Sequence, residues 1–77
     1  MEATRPPLYH RGQILRILHG WARDVPPRPV VDVQWDACWR CWTYSFPLSV
    51  IRIEEYALEP VGLPDIDPDV WLRQEME

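Results

Sequence analysis

The sequence contains no lysine and no asparagine, and all eight of its basic residues are arginine. It has only two cysteines, with no apolar signal segment at the start, which favours free thiols and predicts a cytoplasmic location. No apolar run approaches the roughly 18 residues of a membrane-spanning helix, so no span is expected.

With 77 residues, the chain is too short for a dinucleotide-binding domain or a TIM barrel. Little chain is left to build a desolvated pocket, so the prediction is a protein that is not an enzyme.

Charge is divided unevenly along the chain. Residues 1–52 contain seven arginines and four acidic residues, a net of +3, whereas residues 53–77 contain one arginine and eight acidic residues, a net of −7. The acidic third opposes duplex nucleic acid, which requires a basic face. This polarity predicts either a polar protein partner or an acidic tail that folds back on the arginine-rich body.

Alternation of apolar and polar residues predicts a mainly β fold. The branched residues of 12–19 favour a first strand, and a proline-rich stretch then leads to a hairpin with its turn at 36–39. A further strand is expected at 50–53, with Ile51 and Ile53 on one face, and a closing strand at 57–61, with Pro60 at an edge. A helix capped by Ser49 and extending to Leu58 remains the main structural alternative for that region.

The acidic tail contains the start signal of a short helix. Asp67 is a suitable N-cap, Pro68 suits the first helical position, and Asp69 complements the helix dipole. The aspartates at 65, 67 and 69 are interpreted as a solvated face or a helix cap, as are the adjacent Glu54 and Glu55. The tail is therefore predicted to hold one or two helical turns.

The order of these elements from Gly12 to Val61 resembles the SH3-like superfold. The resemblance rests on Gly12-Gln13 opening the first strand, the long loop before Val30, the hairpin of residues 30–46 and the closing Leu58-Glu59-Pro60-Val61. It implies a small five-stranded antiparallel barrel over residues 12–61. A flexible N-terminal arm would cover residues 1–11, and an acidic tail with a short C-terminal helical turn residues 62–77. The superfold hosts peptide readers, RNA-binding modules and accessory subunits, so it does not decide function.

The pattern Cys38-Trp39-Arg40-Cys41 is the sharpest local motif in the chain. With His10 and His19 it would supply four ligands for zinc. Residues three apart on a strand point to opposite faces, however, so both thiols converge only if the hairpin tip forms a knuckle. We interpret the cysteines as ordinary structural thiols and predict no cofactor, with a zinc-stabilised module as an alternative.

The aromatic residues carry the functional prediction. Four of them, Trp35, Trp42, Tyr44 and Phe46, fit the buried face of the hairpin, whereas Trp39 at its tip is hard to bury in so small a core. Tryptophan and arginine are enriched at interface hot spots. The candidate partner-binding residues are Trp21, Arg23, Arg28, Trp39, Arg40, Asp65, Asp67 and Trp71.

These residues predict a small non-enzymatic protein-binding module that acts as an accessory subunit, adaptor or inhibitor of a larger complex. A single-stranded nucleic-acid binder is a further alternative, because arginines interleaved with aromatics supply stacking platforms. Nucleic acid remains the less favoured partner because of the acidic tail.

Overall fold

A computed structural model describes residues 5–18 and 25–76 of the chain. In chain order, the elements are β1 (Ile14–Ile17), β2 (Arg28–Pro29), β3 (Asp32–Asp36), β4 (Cys41–Ser45), β5 (Ile53–Glu54), a 3-10 turn (Glu55–Ala57), β6 (Leu58–Pro60) and α1 (Pro68–Glu75). The strands form two antiparallel sheets, in the orders β2-β1-β6 and β3-β4-β5. Over these residues, no helix has the length and apolar character needed to cross a bilayer.

The prediction of a mainly β chain with a short C-terminal helix is confirmed. Within residues 5–18 and 25–76, no strand pairing closes the two sheets into one barrel. The hairpin is found where alternation placed it, with Val33 opposite Tyr44 and Trp35 opposite Trp42. The closing strand at Leu58–Pro60 pairs with β1 and lies at the edge of its sheet.

Both sheets contribute side chains to one apolar core. Leu15 of β1 and Leu58 of β6 come from the first sheet, while Tyr44 of β4 and Ile53 of β5 come from the second. The complete buried set is Leu15, Val30, Tyr44, Phe46, Ile53, Ala57 and Leu58. The core therefore lies between the sheets, and its contacts join segments far apart in sequence.

The region between β4 and β6 differs from the prediction. Ile53 is buried opposite Tyr44, but Ile51 is half exposed and Val50 is fully exposed, so the expected pairing of Ile51 with Ile53 on one face is wrong. The alternative helix from Ser49 to Leu58 is also wrong, because only a single 3-10 turn forms there. Burial of Ile53 fixes the strand, and chain reversal between β4 and β5 leaves the preceding residues in solvent.

The C-terminal tail is attached to the start of the first sheet. Gly12 has a φ of 91°, and a β-carbon added there would lie 3.3 Å from the Ile66 carbonyl oxygen, so glycine meets both a conformational and a steric requirement. The Ile66 amide donates to the Gly12 carbonyl at 2.9 Å. Helix α1 then begins as predicted, with the Asp67 side chain accepting from the Asp69 amide at 2.8 Å.

Candidate functional site

The tip of the β3–β4 hairpin presents Trp39 to solvent. One carboxylate oxygen of Asp36 accepts hydrogen bonds from the Cys38 amide at 2.9 Å and the Trp39 amide at 3.1 Å. Arg40 then takes a left-handed φ of 54°, which returns the chain to β4. Trp39 is 72% exposed, so its indole extends into water from a turn that side-chain hydrogen bonds hold in place.

A shallow open cleft of about 300 Å³ adjoins this turn on the outer face of the second sheet. Arg52 is one of its lining residues and donates to the Thr43 hydroxyl at 2.9 Å and to the Thr43 carbonyl at 3.3 Å. Its guanidinium also forms an ion pair with Asp32 at 3.4 Å. The lining residues are Gln34, Trp35, Asp36, Ala37, Cys38, Thr43 and Arg52. The guanidinium thus serves to join β3, β4 and the start of β5.

Arg28 and Trp71, both candidate partner-binding residues, contact each other. The Arg28 guanidinium lies 5.9 Å from the centroid of the Trp71 ring, which is a cation–π arrangement. The same guanidinium donates to the Pro47 carbonyl at 3.0 Å. Arg28 therefore attaches helix α1 to β2 and to the loop after β4, and both side chains are half-buried.

The acidic tail contacts the basic N-terminal segment. His10 lies 2.5 Å from the Asp65 carboxylate, and Arg11 lies 3.7 Å from Asp67 and 3.8 Å from Asp69. These contacts match the alternative in which the tail folds back on its own chain. All of them are substantially exposed, so each contributes about 0–1 kcal/mol to stability.

Three of the candidate residues, Trp21, Arg23 and His19, lie outside the described residues. Cys38 and Cys41 are free thiols, on the exposed turn and at the start of β4 respectively. Burial raises the pKa of the Cys41 thiol, and the neighbouring carboxylates of Asp36, Glu54 and Glu55 raise it further. Across 5–18 and 25–76, no three histidine, cysteine or acidic residues are grouped to hold a metal ion.

Sequence reasoning missed a buried polar network beneath the N-terminal arm. Glu55 is 4% exposed, so the prediction of a solvated acidic face is wrong for this residue. Its carboxylate pairs with Arg5, accepts from the Tyr44 hydroxyl at 2.5 Å, and accepts from the Leu8 amide at 2.9 Å. The Tyr44 hydroxyl also accepts from the Tyr9 amide at 3.3 Å. Residues 5–9 are thereby held against the second sheet.

The network determines the protonation of its members. Burial acts to raise the pKa of Glu55, but hydrogen bonds from Arg5, Tyr44 and Leu8 outweigh it and hold that pKa below its ordinary value. Burial, together with the Glu55 carboxylate, raises the pKa of Tyr44 well above its usual range. A carboxylate, a neutral phenol and a guanidinium therefore coexist here near neutral pH. One sequence signal pointed to this site. Residues two apart in a strand point to the same face, so a strand that buries Ile53 directs Glu55 inward as well.

Comparison with protein-family models, characterised proteins and solved structures gives no significant match to this chain. Any functional assignment therefore depends on the geometry of the described residues.

Proposed function

We propose that the chain is a small non-enzymatic protein-binding module that acts as an accessory subunit, adaptor or inhibitor. The observation that carries this proposal is the exposed Trp39 on its braced turn. An indole in water is an unfavourable arrangement that a partner's apolar pocket relieves. Because hydrogen bonds to Asp36 already fix the turn, its backbone loses little conformational entropy when a partner binds.

The expected contribution of Trp39 is large for a chain of this size. An aromatic side chain buries about 150–250 Å² when fully enclosed, at about 25 cal/mol per Å². For a side chain that is 72% exposed, the area left to bury corresponds to about 3–4.5 kcal/mol before the costs of association are subtracted. That value is in the range of an interface hot spot. Arg40 lies beside it and offers a planar cation to the rim of the same contact.

We further propose that the two sheets are halves of one SH3-like arrangement. This is supported by the way β2 continues into β3. The Val30 amide donates to the Gln13 carbonyl beside the first sheet at 3.0 Å, and the Val31 amide donates to Ser45 of the second at 2.9 Å. Two consecutive residues, Val30 and Val31, therefore hydrogen-bond to one sheet each and connect the two sheets. An NMR spectrum of the chain without cross-peaks between the buried side chains of the two sheets would contradict this proposal.

The two free thiols support a reducing compartment such as the cytoplasm. The raised pKa of Cys41 makes its thiolate, the form that attacks a substrate, less available near neutral pH.

The proposal is tested by affinity capture from native lysate, with the Trp39→Ala chain beside the wild type. Proteins lost with the variant are identified by mass spectrometry, and binding of the recovered partner is then measured by calorimetry. The expected weakening is about tenfold or more, which corresponds to at least about 1.4 kcal/mol.

Val50→Ala is the matched control. Val50 is a fully exposed apolar side chain in the loop that follows β4, whereas the Trp39 turn precedes it. This variant should retain the partner. Equal binding by wild type, Trp39→Ala and Val50→Ala would remove the hairpin tip as the interface.

A further inference from the structure

The described sheets have four edge strands, and three of them are short or interrupted by proline. β2 has two residues including Pro29, β5 has two residues, and β6 has three residues ending in Pro60. Proline and shortness are the usual means by which an edge is kept from pairing. β3 is different, because it has five residues and no proline.

The outer edge of β3 is open in the described part of the chain. β3 is terminal in the order β3-β4-β5 and pairs with β4 along all five residues, from Asp32 opposite Ser45 to Asp36 opposite Cys41. In an antiparallel pair, alternate residues direct their N–H and C=O groups away from the partner strand. This row of donors and acceptors is therefore a template for one more strand.

The charges of β3 select among possible occupants. β3 contains Asp32 and Asp36 and no basic residue, and within the described residues the one arginine that pairs with it, Arg52 at 3.4 Å from Asp32, leaves the two aspartates in excess. Antiparallel pairing with a second copy, centred on Gln34, would place Asp32 opposite Asp36 at both ends of the ladder, and like charges directly opposite are unfavourable. A strand with basic residues at those positions would form favourable cross-strand pairs instead.

We propose that the β3 edge binds an extended segment of a partner protein whose alternate residues are basic, by strand addition. This inference rests on the proposed function for a protein partner, but it concerns a surface separate from the Trp39 indole. Gln34 is exposed at the centre of β3, between the two aspartates, so it is the position at which a charge change acts on the added strand with least effect on the core.

The probe is a short synthetic peptide in which arginine alternates with valine and threonine, compared with the same peptide carrying glutamate in place of arginine. Binding is followed by titration in ¹⁵N–¹H NMR spectra of the full chain. We expect saturable shifts centred on the β3 amides with the arginine peptide, and none with the glutamate peptide.

Two substitutions at one site give opposite expectations. Gln34→Lys should lower the affinity for the arginine peptide about fivefold, because a like charge then faces the basic residues of the peptide. Gln34→Glu should raise that affinity. Gln74→Lys is the matched control, since it makes the same change at an exposed position of α1 and should leave affinity unaltered. Circular dichroism of each variant confirms that the fold is retained.

If Gln34→Lys and Gln74→Lys lower the affinity for the arginine peptide equally, the proposal is overturned. The peptide would then be attracted by the overall charge of the chain and not by the β3 edge. Shifts centred away from β3 would also overturn it, as would a stable dimer in sedimentation analysis that Gln34→Lys dissociates. Because the peptide carries no pocket for an indole, Trp39→Ala should bind it normally. A negative result with the peptide would therefore count against the β3 edge alone, and would leave the proposed interface at Trp39 unaffected.

Discussion

Replacing Glu55 with glutamine removes a buried negative charge while keeping the size of the side chain. The carboxylate accepts from the Tyr44 hydroxyl at 2.5 Å and from the Leu8 amide at 2.9 Å, and it also pairs with Arg5. Glutamine retains one acceptor oxygen but introduces an amide group with donors of its own. The substitution therefore weakens two buried hydrogen bonds and leaves the packing nearly intact.

The magnitude follows from the difference between charged and neutral acceptors. A hydrogen bond to an ionised group contributes about 1.5–3 kcal/mol net, against about 0.5–1.5 kcal/mol for a neutral pair. Losing the charge at two such bonds lowers the free energy of unfolding by about 2 kcal/mol. The Arg5 ion pair adds little to this value because solvent screens that side chain. For a domain of this size, 2 kcal/mol is a substantial part of the total stability.

The pH dependence has a defined sign. The pKa of Glu55 in the folded state lies below its unfolded value of about 4.3. A carboxylate with a lowered folded pKa contributes stability that is fully present above the unfolded pKa and is lost as the pH falls through the folded pKa. The difference in stability between wild type and Glu55→Gln should therefore be largest at neutral pH and shrink below about pH 4.

The assay is urea denaturation followed by tryptophan fluorescence at neutral pH and at several acidic values. Glu59→Gln is the control, because it makes the same change in an exposed ion pair with Arg16 at 3.4 Å and should cost less than about 1 kcal/mol. Equal effects of the two substitutions at neutral pH would refute the reasoning. So would a difference for Glu55→Gln that grows as the pH falls.

Two further predictions concern the tail and the thiols. Asp67→Ala removes the N-cap of α1 and should destabilise the helix by about 1 kcal/mol, measured as faster amide exchange over residues 69–75, whereas Gln74→Ala should not accelerate it. Cys41 should react with iodoacetamide severalfold more slowly than Cys38 at mildly alkaline pH, because its pKa is raised and it is less exposed. Peptide mass spectrometry measures both rates, and equal rates would contradict the assigned environment of Cys41.

Some of the candidate site was predictable from local sequence and some was not. The exposure of Trp39 follows from its place at a hairpin tip, and the cap of α1 follows from Asp67-Pro68-Asp69, because both depend on a few adjacent residues. The Glu55 network escaped prediction because its partners are 11 to 50 residues away in sequence. The period-two pattern indicates that Glu55 points inward, but no local pattern identifies partners at that distance along the chain.

Local sequence was enough to predict the strands of the hairpin, the closing strand, the short helix and the burial of Tyr44, since alternation, proline placement and capping act within a few residues. Contacts between distant segments were needed to bury Glu55 as a carboxylate, to leave Ile51 half exposed, and to place Arg28 against Trp71. Each of these depends on which distant segment comes to lie alongside. The arrangement of these segments is set by the packing of two sheets around one core. Polar groups that this packing buries must form hydrogen bonds within the protein.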